Sequence, residues 1–144
     1  MSASLEARVR VLEDKEEIRR LMMDYGVHLD ARDFKAYSLL FAENGTWEGG
    51  LGKATGPANI EKLVGDAIGK QTMMSRPNFH LMSSPEVDVD GDKARAWSRW
   101  TFVAEDAEGK TGIVYGGTYI DTFVREKGAW KFQHRIASSP PRRS

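Results

Sequence analysis

The second half of the chain alternates aromatic or β-branched residues with polar ones, and turn signals interrupt this pattern at regular intervals. Alternation with a period of two is typical of strands that bury one face. The pattern predicts four strands, over residues 77–89, 93–104, 111–125 and 130–138. The turn sequences Asp90-Gly91, "EDAEGK" and "REKG" separate them, so we expect consecutive strands to pair antiparallel.

The first half has a helical period instead. Apolar residues recur at steps of three, four and seven over residues 5–29, which predicts one long amphipathic helix. A short helix with Asp33 as its N-cap is expected to include Phe41, followed by a strand at 46–48 and a glycine-rich bend. A third helix begins near Pro57 and carries an apolar stripe as far as Ile68. Helices followed by a run of strands predict an α+β domain with three helices packed on a strongly curved antiparallel sheet.

Length and composition narrow the possible partners. A chain of 144 residues is the usual size of one domain, so we expect a single domain over 1–144, ordered over about 5–138 with a tail at 139–144. With 21 basic and 21 acidic residues, the chain has no charge excess that would favour nucleic acid or an anionic membrane. It has no apolar segment resembling a membrane span or signal peptide, which predicts a cytoplasmic protein. The absence of cysteine excludes disulfides and thiolate chemistry.

Three segments, in this order, carry a family resemblance. They read "IRRLMMDYGVHLDARDFKAYSLLFAENGTWEG", "HLMSSPEVDVDGDKARAWSRW" and "GGTYIDTFVREKGAWKFQHR". Together with the order of elements they resemble the nuclear transport factor 2-like superfamily, and more narrowly its SnoaL-like branch, over about residues 5–138. That branch includes scytalone dehydratase, bile-acid 7α-dehydratase and hexachlorocyclohexane dehydrochlorinase. The resemblance implies a cone-shaped α+β barrel, a scaffold that hosts many unrelated activities.

The resemblance also implies a pair of catalytic residues. Family members that eliminate water or chloride use a histidine base on the first long strand and an aspartate at the end of the first helix, which match His80 and Asp30 here. An imidazole can accept a proton near neutral pH, and a carboxylate on its other nitrogen fixes the tautomer and stabilises the imidazolium. Fifty residues separate the two, so their pairing depends on the resemblance. As alternatives, His80 could be a structural strand residue and Asp30 a polar turn residue.

Tyr25 and Arg135 are the further catalytic candidates. Relatives place a tyrosine that assists the leaving group near the position of Tyr25, and an arginine that could bind an anion near that of Arg135. Tyr25 could equally continue a buried stripe with Met22, and Arg135 could form a charge pair at the sheet edge. Because Arg135 lies five residues after Trp130 on a regular strand, we expect these two side chains to point to opposite faces.

Large side chains at strand positions are candidates for the wall of a substrate pocket, and no metal ligand set is predicted. The "HLD" of residues 28–30 closes a helix, whereas such iron ligands normally lie on strands, and "DVDGD" at 88–92 reads as a hairpin turn. His28 and His134 have no evident partner and are predicted to be surface or packing residues. The candidate substrate-binding residues are Trp47, Asn78, Trp100, Phe102, Tyr115 and Tyr119.

Two classes of function remain open. In the first, the protein is a cofactor-independent lyase for a hydrophobic, aromatic or polycyclic, hydroxylated small molecule, which it dehydrates or cleaves by deformylation. An isomerase on a similar substrate is a close variant of this hypothesis. In the second, the chain is a non-catalytic module that binds small molecules or docks proteins. The resemblance further implies a homo-oligomer, either a trimer or a dimer.

Overall fold

The computed structural model describes residues 3–69 and 75–140, in which three helices precede or interrupt a run of seven strands. The helices are α1 (Leu5–Asp30), α2 (Phe34–Ser38) and α3 (Pro57–Ile68). The strands are β1 (Phe41–Gly49), β2 (Gly52–Thr55), β3 (Asn78–Met82), β4 (Glu86–Asp90), β5 (Lys93–Glu105), β6 (Thr111–Glu126) and β7 (Ala129–Ser138). Most of the predicted tail, residues 141–144, lies outside the described residues.

The strands form one sheet in the order β2-β1-β7-β6-β5-β3, and β4 also pairs with β5. The predicted α+β architecture with three helices on a sheet is confirmed. The sheet is open, and it is mixed rather than purely antiparallel because β1 and β7 run parallel. The sequence of β1 does not indicate which strand it pairs with, so its parallel pairing with β7 could not be predicted.

Two predicted boundaries are wrong for identifiable reasons. The strand expected over 77–89 is split into β3 and β4, both paired with β5, because Pro85 has no N–H to continue the hydrogen bonding. Phe41 belongs to β1 rather than to the second helix, since α2 ends at Ser38 and Phe41 pairs with Phe132 of β7.

Ser4 is the N-cap of helix α1 and its hydroxyl accepts the N–H of Ala7; the helix then runs for 26 residues, from Leu5 to Asp30. Its apolar stripe packs against β3, β4 and β7. The buried residues of that stripe are Ile18, Leu21, Met22, Tyr25 and Leu29. No helix within the described ranges combines the length and apolar character needed to cross a membrane.

A bulge in β7 changes which side chains face the helices. Thr122 pairs with His134 and Phe123 with Phe132, so Gln133 is an extra residue on β7. As a result Trp130, Phe132 and Arg135 are all buried on the same side. The prediction that Trp130 and Arg135 point to opposite faces is therefore wrong.

Candidate active site

A cavity of about 230 Å³ lies between the three helices and the sheet. Most of its wall is aromatic or aliphatic, and the half-exposed Tyr115 lies at its mouth. Such a wall suits a hydrophobic small molecule. Within the described part of the chain, the lining residues are Tyr25, Leu29, Tyr37, Trp47, Gly50, Leu51, Val64, Ile68, His80, Trp100, Tyr115, Tyr119, Ala137 and Ser139.

His80 of β3 and Asp30 at the end of α1 meet beside this cavity. The Nδ1 atom of His80 lies 2.7 Å from Oδ1 of Asp30, and the backbone N–H of His80 donates to both carboxylate oxygens at 3.1 Å. The His80 side chain is 8% exposed and that of Asp30 is 23% exposed. A carboxylate accepting from Nδ1 favours the tautomer in which Nε2 carries a lone pair. The described residues provide no hydrogen-bond partner for Nε2.

Arg32 braces the end of α1 against β3. It adopts a positive φ of 59°, and its guanidinium donates to the carbonyl of Leu29 at 2.7 Å and to Oδ1 of Asn78 at 2.8 Å. Asn78 lies two residues before His80 on β3, so the brace fixes the helix end near the strand that carries the imidazole. The structure does not place Asn78 on the cavity wall, where it was predicted.

Tyr25 is buried at the inner end of the cavity and accepts two hydrogen bonds. Its hydroxyl receives the O–H of Tyr37 at 2.8 Å and the indole N–H of Trp47 at 3.0 Å. Both acceptor positions are thus occupied, so the Tyr25 O–H acts as a donor, and Tyr119 is a further hydrogen-bonding neighbour of this hydroxyl. Tyr37 was not identified as a site residue from the sequence; the signal was a tyrosine in a short helix, because its hydroxyl needs a hydrogen-bond partner when the ring is buried.

Arg135 does not line this cavity. Its side chain is fully buried, and Nε and Nη2 donate to the two oxygens of Asp121 at 2.7 and 2.8 Å. The guanidinium carbon lies 3.7 Å from the ring centroid of Tyr119 and 4.1 Å from that of Tyr25. These two rings separate the cation from the cavity, so Arg135 cannot touch a molecule bound there.

Burial and charge shift several pKa values around this cation. Burial raises the pKa of Tyr37 and of Tyr119 well above the ordinary value, so both are neutral at physiological pH. Burial also raises the pKa of Asp121, an effect that the adjacent Arg135 opposes. Burial by itself disfavours the charged form of Arg135, but the attraction of Asp121 more than offsets it and raises the pKa of the arginine. The bidentate geometry is that of an ion pair.

The other predicted residues divide between wall and core. Trp47, Trp100, Tyr115 and Tyr119 line the cavity, whereas Phe102 is fully buried behind the His80 ring, with the two ring centroids 5.0 Å apart. His134, expected to lack a partner, lies 3.0 Å from a carboxylate oxygen of Glu48 in a partly exposed pair, which corrects that expectation. Over residues 3–69 and 75–140 no three histidine, aspartate or glutamate side chains are grouped closely enough to hold a metal ion.

Comparison with known proteins places the chain in a family. A family model described as "SnoaL-like domain" matches residues 10–136. A crystal structure of an NTF2-like protein with a cystatin-like fold from Novosphingobium aromaticivorans is 32% identical, with a TM-score of 0.83 over 93% of this chain and 86% of that one. No curated protein gives a significant match.

Two further solved structures from the same bacterium have this fold. A candidate scytalone dehydratase is 29% identical, with a TM-score of 0.72 over 88% of this chain and 83% of that chain. The beta subunit of a candidate aromatic-ring-hydroxylating dioxygenase is 18% identical, with a TM-score of 0.74 over 88% of this chain and 89% of its own. At 18% identity the second likeness concerns the fold alone.

Proposed function

Since the chain belongs to the SnoaL-like domain family, we propose that it is a cofactor-independent lyase that removes water from a hydrophobic, hydroxylated small molecule. The 2.7 Å contact between His80 and Asp30 at the wall of an aromatic cavity carries this proposal. A histidine with a purely structural role would be expected to use both ring nitrogens in contacts with the protein. In His80 a carboxylate holds Nδ1 while Nε2 has no partner among the described residues, which favours a role as a base. The name of the candidate scytalone dehydratase adds support.

In the proposed reaction, Nε2 of His80 removes a proton from the carbon next to the one that bears the hydroxyl group. Asp30 accepts the Nδ1 hydrogen bond throughout and stabilises the imidazolium that forms. The same base would serve a deformylating cleavage, in which it takes the proton of a substrate hydroxyl while a carbon–carbon bond breaks. Analysis of the products distinguishes the two reactions.

Tyr25 is the proposed acid. Its proton passes to the departing hydroxyl, which leaves as water, and the electron pair of the broken C–H bond forms the new double bond. The phenolate that remains accepts from Tyr37 and Trp47 and lies over the guanidinium of Arg135. Transfer of the proton held on His80 back to Tyr25 completes the cycle. Arg135 is thus a positioning residue in this scheme.

The surface of the sheet supports the expected homo-oligomer. Large apolar side chains are exposed on β3 and β6, where Phe79 is 46%, Leu81 58% and Ile113 76% exposed. An apolar strand surface of this kind is commonly covered by another subunit. We propose a second copy of the chain as the covering partner.

The test begins with thermal-shift screening of aromatic and polycyclic alcohols, followed by mass-spectrometric detection of water loss or formyl loss from each hit. We expect His80→Ala to lower kcat/KM by about 10²–10⁴-fold, with partial rescue by added imidazole. Asp30→Asn is expected to lower it by about a hundredfold or more. Tyr25→Phe, which keeps the ring over Arg135, should lower kcat more than it raises KM.

His134→Asn is the matched control, because His134 also contacts a carboxylate but lies away from the cavity. It should leave kcat/KM unchanged. Ligands that bind the wild-type protein tightly without turnover would contradict the lyase proposal and favour a binding module. Turnover that survives His80→Ala would exclude this histidine as the base.

A further inference from the structure

A second cavity, of about 220 Å³, lies on the other side of Tyr25 and Tyr119 from the first. Met82 at the end of β3 and residues 83–85 between β3 and β4 form one wall, and Arg19, Met22 and Met23 of α1 form another. Ser98 of β5 and Arg135 of β7 lie at its inner end. None of these residues lines the first cavity, so the two spaces are separate.

Two buried donors at the inner end of this second cavity have no partner. Nη1 of Arg135 and Oγ of Ser98 are both buried, and neither makes a hydrogen bond within residues 3–69 and 75–140. Nε and Nη2 of Arg135 are occupied by Asp121, so Nη1 is the guanidinium nitrogen left for another acceptor. Leaving buried donors unsatisfied is costly, which indicates that a group other than the described residues accepts from them.

The chemistry of the walls restricts what that group can be. Asp121 already neutralises much of the charge of Arg135, and the partly exposed Arg19 adds a second cation. Three methionine side chains and Pro85 make most of the remaining wall apolar. A dianion such as phosphate would be poorly compensated against such walls, whereas a monoanion with an apolar body matches both parts.

We propose that this second cavity binds the carboxylate of a small organic acid. Nη1 of Arg135 and the hydroxyl of Ser98 donate to the carboxylate oxygens, and the apolar body of the acid lies against the methionines. Arg19 attracts the anion at the entrance. The proposal goes beyond the lyase reaction and does not depend on it, because no residue of the second cavity is assigned to proton transfer at the first.

The test uses the full chain with ¹³C-methyl-labelled methionine and leucine. Benzoate and hexanoate are titrated while NMR signals are recorded, and benzyl alcohol and 1-hexanol serve as neutral matched probes. We expect saturable shifts of the Met22, Met23 and Met82 methyl signals with the acids, and about tenfold weaker binding of the alcohols. Leu29 lines the first cavity, so the shifts of its methyl signals report binding there and should not follow the titration curve of the methionine signals.

Variants separate the proposed contacts from simple packing. Ser98→Ala should weaken benzoate binding about fivefold and Arg19→Gln about threefold. Because the Ser98 hydroxyl has no partner among the residues that the structure describes, its removal should not lower the unfolding midpoint measured without a probe. Ser38→Ala, which removes another buried hydroxyl outside this cavity, is the control and should leave benzoate affinity unchanged.

Three outcomes would overturn the proposal. Equal affinity for acids and alcohols would reduce the second cavity to an apolar cleft. Shifts confined to Leu29 would place the acids in the first cavity. A crystal structure grown in saturating benzoate, with only ordered water on Nη1 of Arg135 and Oγ of Ser98, would show that water alone satisfies these donors.

Discussion

The ion pair between Asp121 and Arg135 allows a quantitative test of the structure without any substrate. Asp121→Asn keeps the size of the side chain and removes its charge. The amide keeps one acceptor oxygen, and its NH₂ group would face a guanidinium that can only donate. Because the Arg135 side chain is 1% exposed, water cannot replace the lost carboxylate.

The expected loss of unfolding free energy depends on which groups still stabilise the Arg135 guanidinium in the variant. Removing one partner of a buried pair costs about 3–5 kcal/mol, because the other charge is left uncompensated. Here three aromatic rings, with centroids 3.7 to 4.4 Å from the guanidinium carbon, stay in place and continue to stabilise the charge. We therefore expect a loss of about 3 kcal/mol, or a fall of about 10 °C in the melting temperature for a domain of this size.

Urea unfolding followed by the fluorescence of the four tryptophans measures this loss. The double variant Asp121→Leu with Arg135→Met removes both charges and should be more stable than Asp121→Asn alone. A cost below about 1 kcal/mol for Asp121→Asn would refute the reasoning, since it would mean that Arg135 is solvated or otherwise compensated. A double variant as unstable as the single one would assign the loss to packing rather than to charge.

Two further predictions concern stability. A side chain at Gly117 would clash with the carbonyl oxygen of Ser138, so Gly117→Ala should lower the free energy of unfolding by about 3 kcal/mol or more. Gly112→Ala is the control, because a side chain there meets open space and should change stability by under about 0.5 kcal/mol. Equal urea midpoints for the two variants would contradict this prediction. Tyr37 and Tyr119 have raised pKa values in the folded state, so the stability they contribute is complete below about pH 10 and is lost as the pH rises towards the folded values. The free energy of unfolding is measured from about pH 10 upward for the wild-type protein and for Tyr119→Phe. Its decrease with pH should be less steep in the variant, by about 1.4 kcal/mol per pH unit. Equal slopes would contradict the raised pKa of Tyr119.

The periodic parts of the fold were predictable from sequence because each depends on local chemistry. The apolar stripe of α1, Pro57 at the start of α3 and the Asp90-Gly91 turn all appear where the sequence indicates them. The parallel pairing of β1 with β7 was not predictable, since alternation within a strand does not identify its neighbour. The bulge at Gln133 was missed for a related reason. One extra residue in a strand leaves no compositional signal, yet it reverses the face of every later side chain.

The candidate site was predictable only to the extent that a resemblance could place distant residues together. Fifty residues separate Asp30 from His80, and no spacing rule within a single sequence joins the end of a helix to a strand so far away. A charge pair for Arg135 was one of the stated alternatives, but it was expected at the sheet edge, whereas β7 lies between β1 and β6. Its partner Asp121 was not identified, because the bulge sets the register of the two strands. Asn78 and Phe102 were predicted on the wall from strand periodicity alone, which does not distinguish a pocket-lining residue from a buried or braced one.

Arg135 lines the second cavity and lies against two rings that line the first, and this position decides how the functions of the two cavities can be separated experimentally. Its guanidinium lies over the rings of Tyr25 and Tyr119, which line the first cavity, while Arg135 itself lines the second cavity. Any substitution of Arg135 would change stability, the environment of Tyr25 and the second cavity together. The separable positions are those that belong to only one of these surroundings. Tyr25→Phe acts on the proposed acid, Asp121→Asn on the charge balance and Ser98→Ala on the second cavity, so three different measurements can assign three different roles around one buried cation.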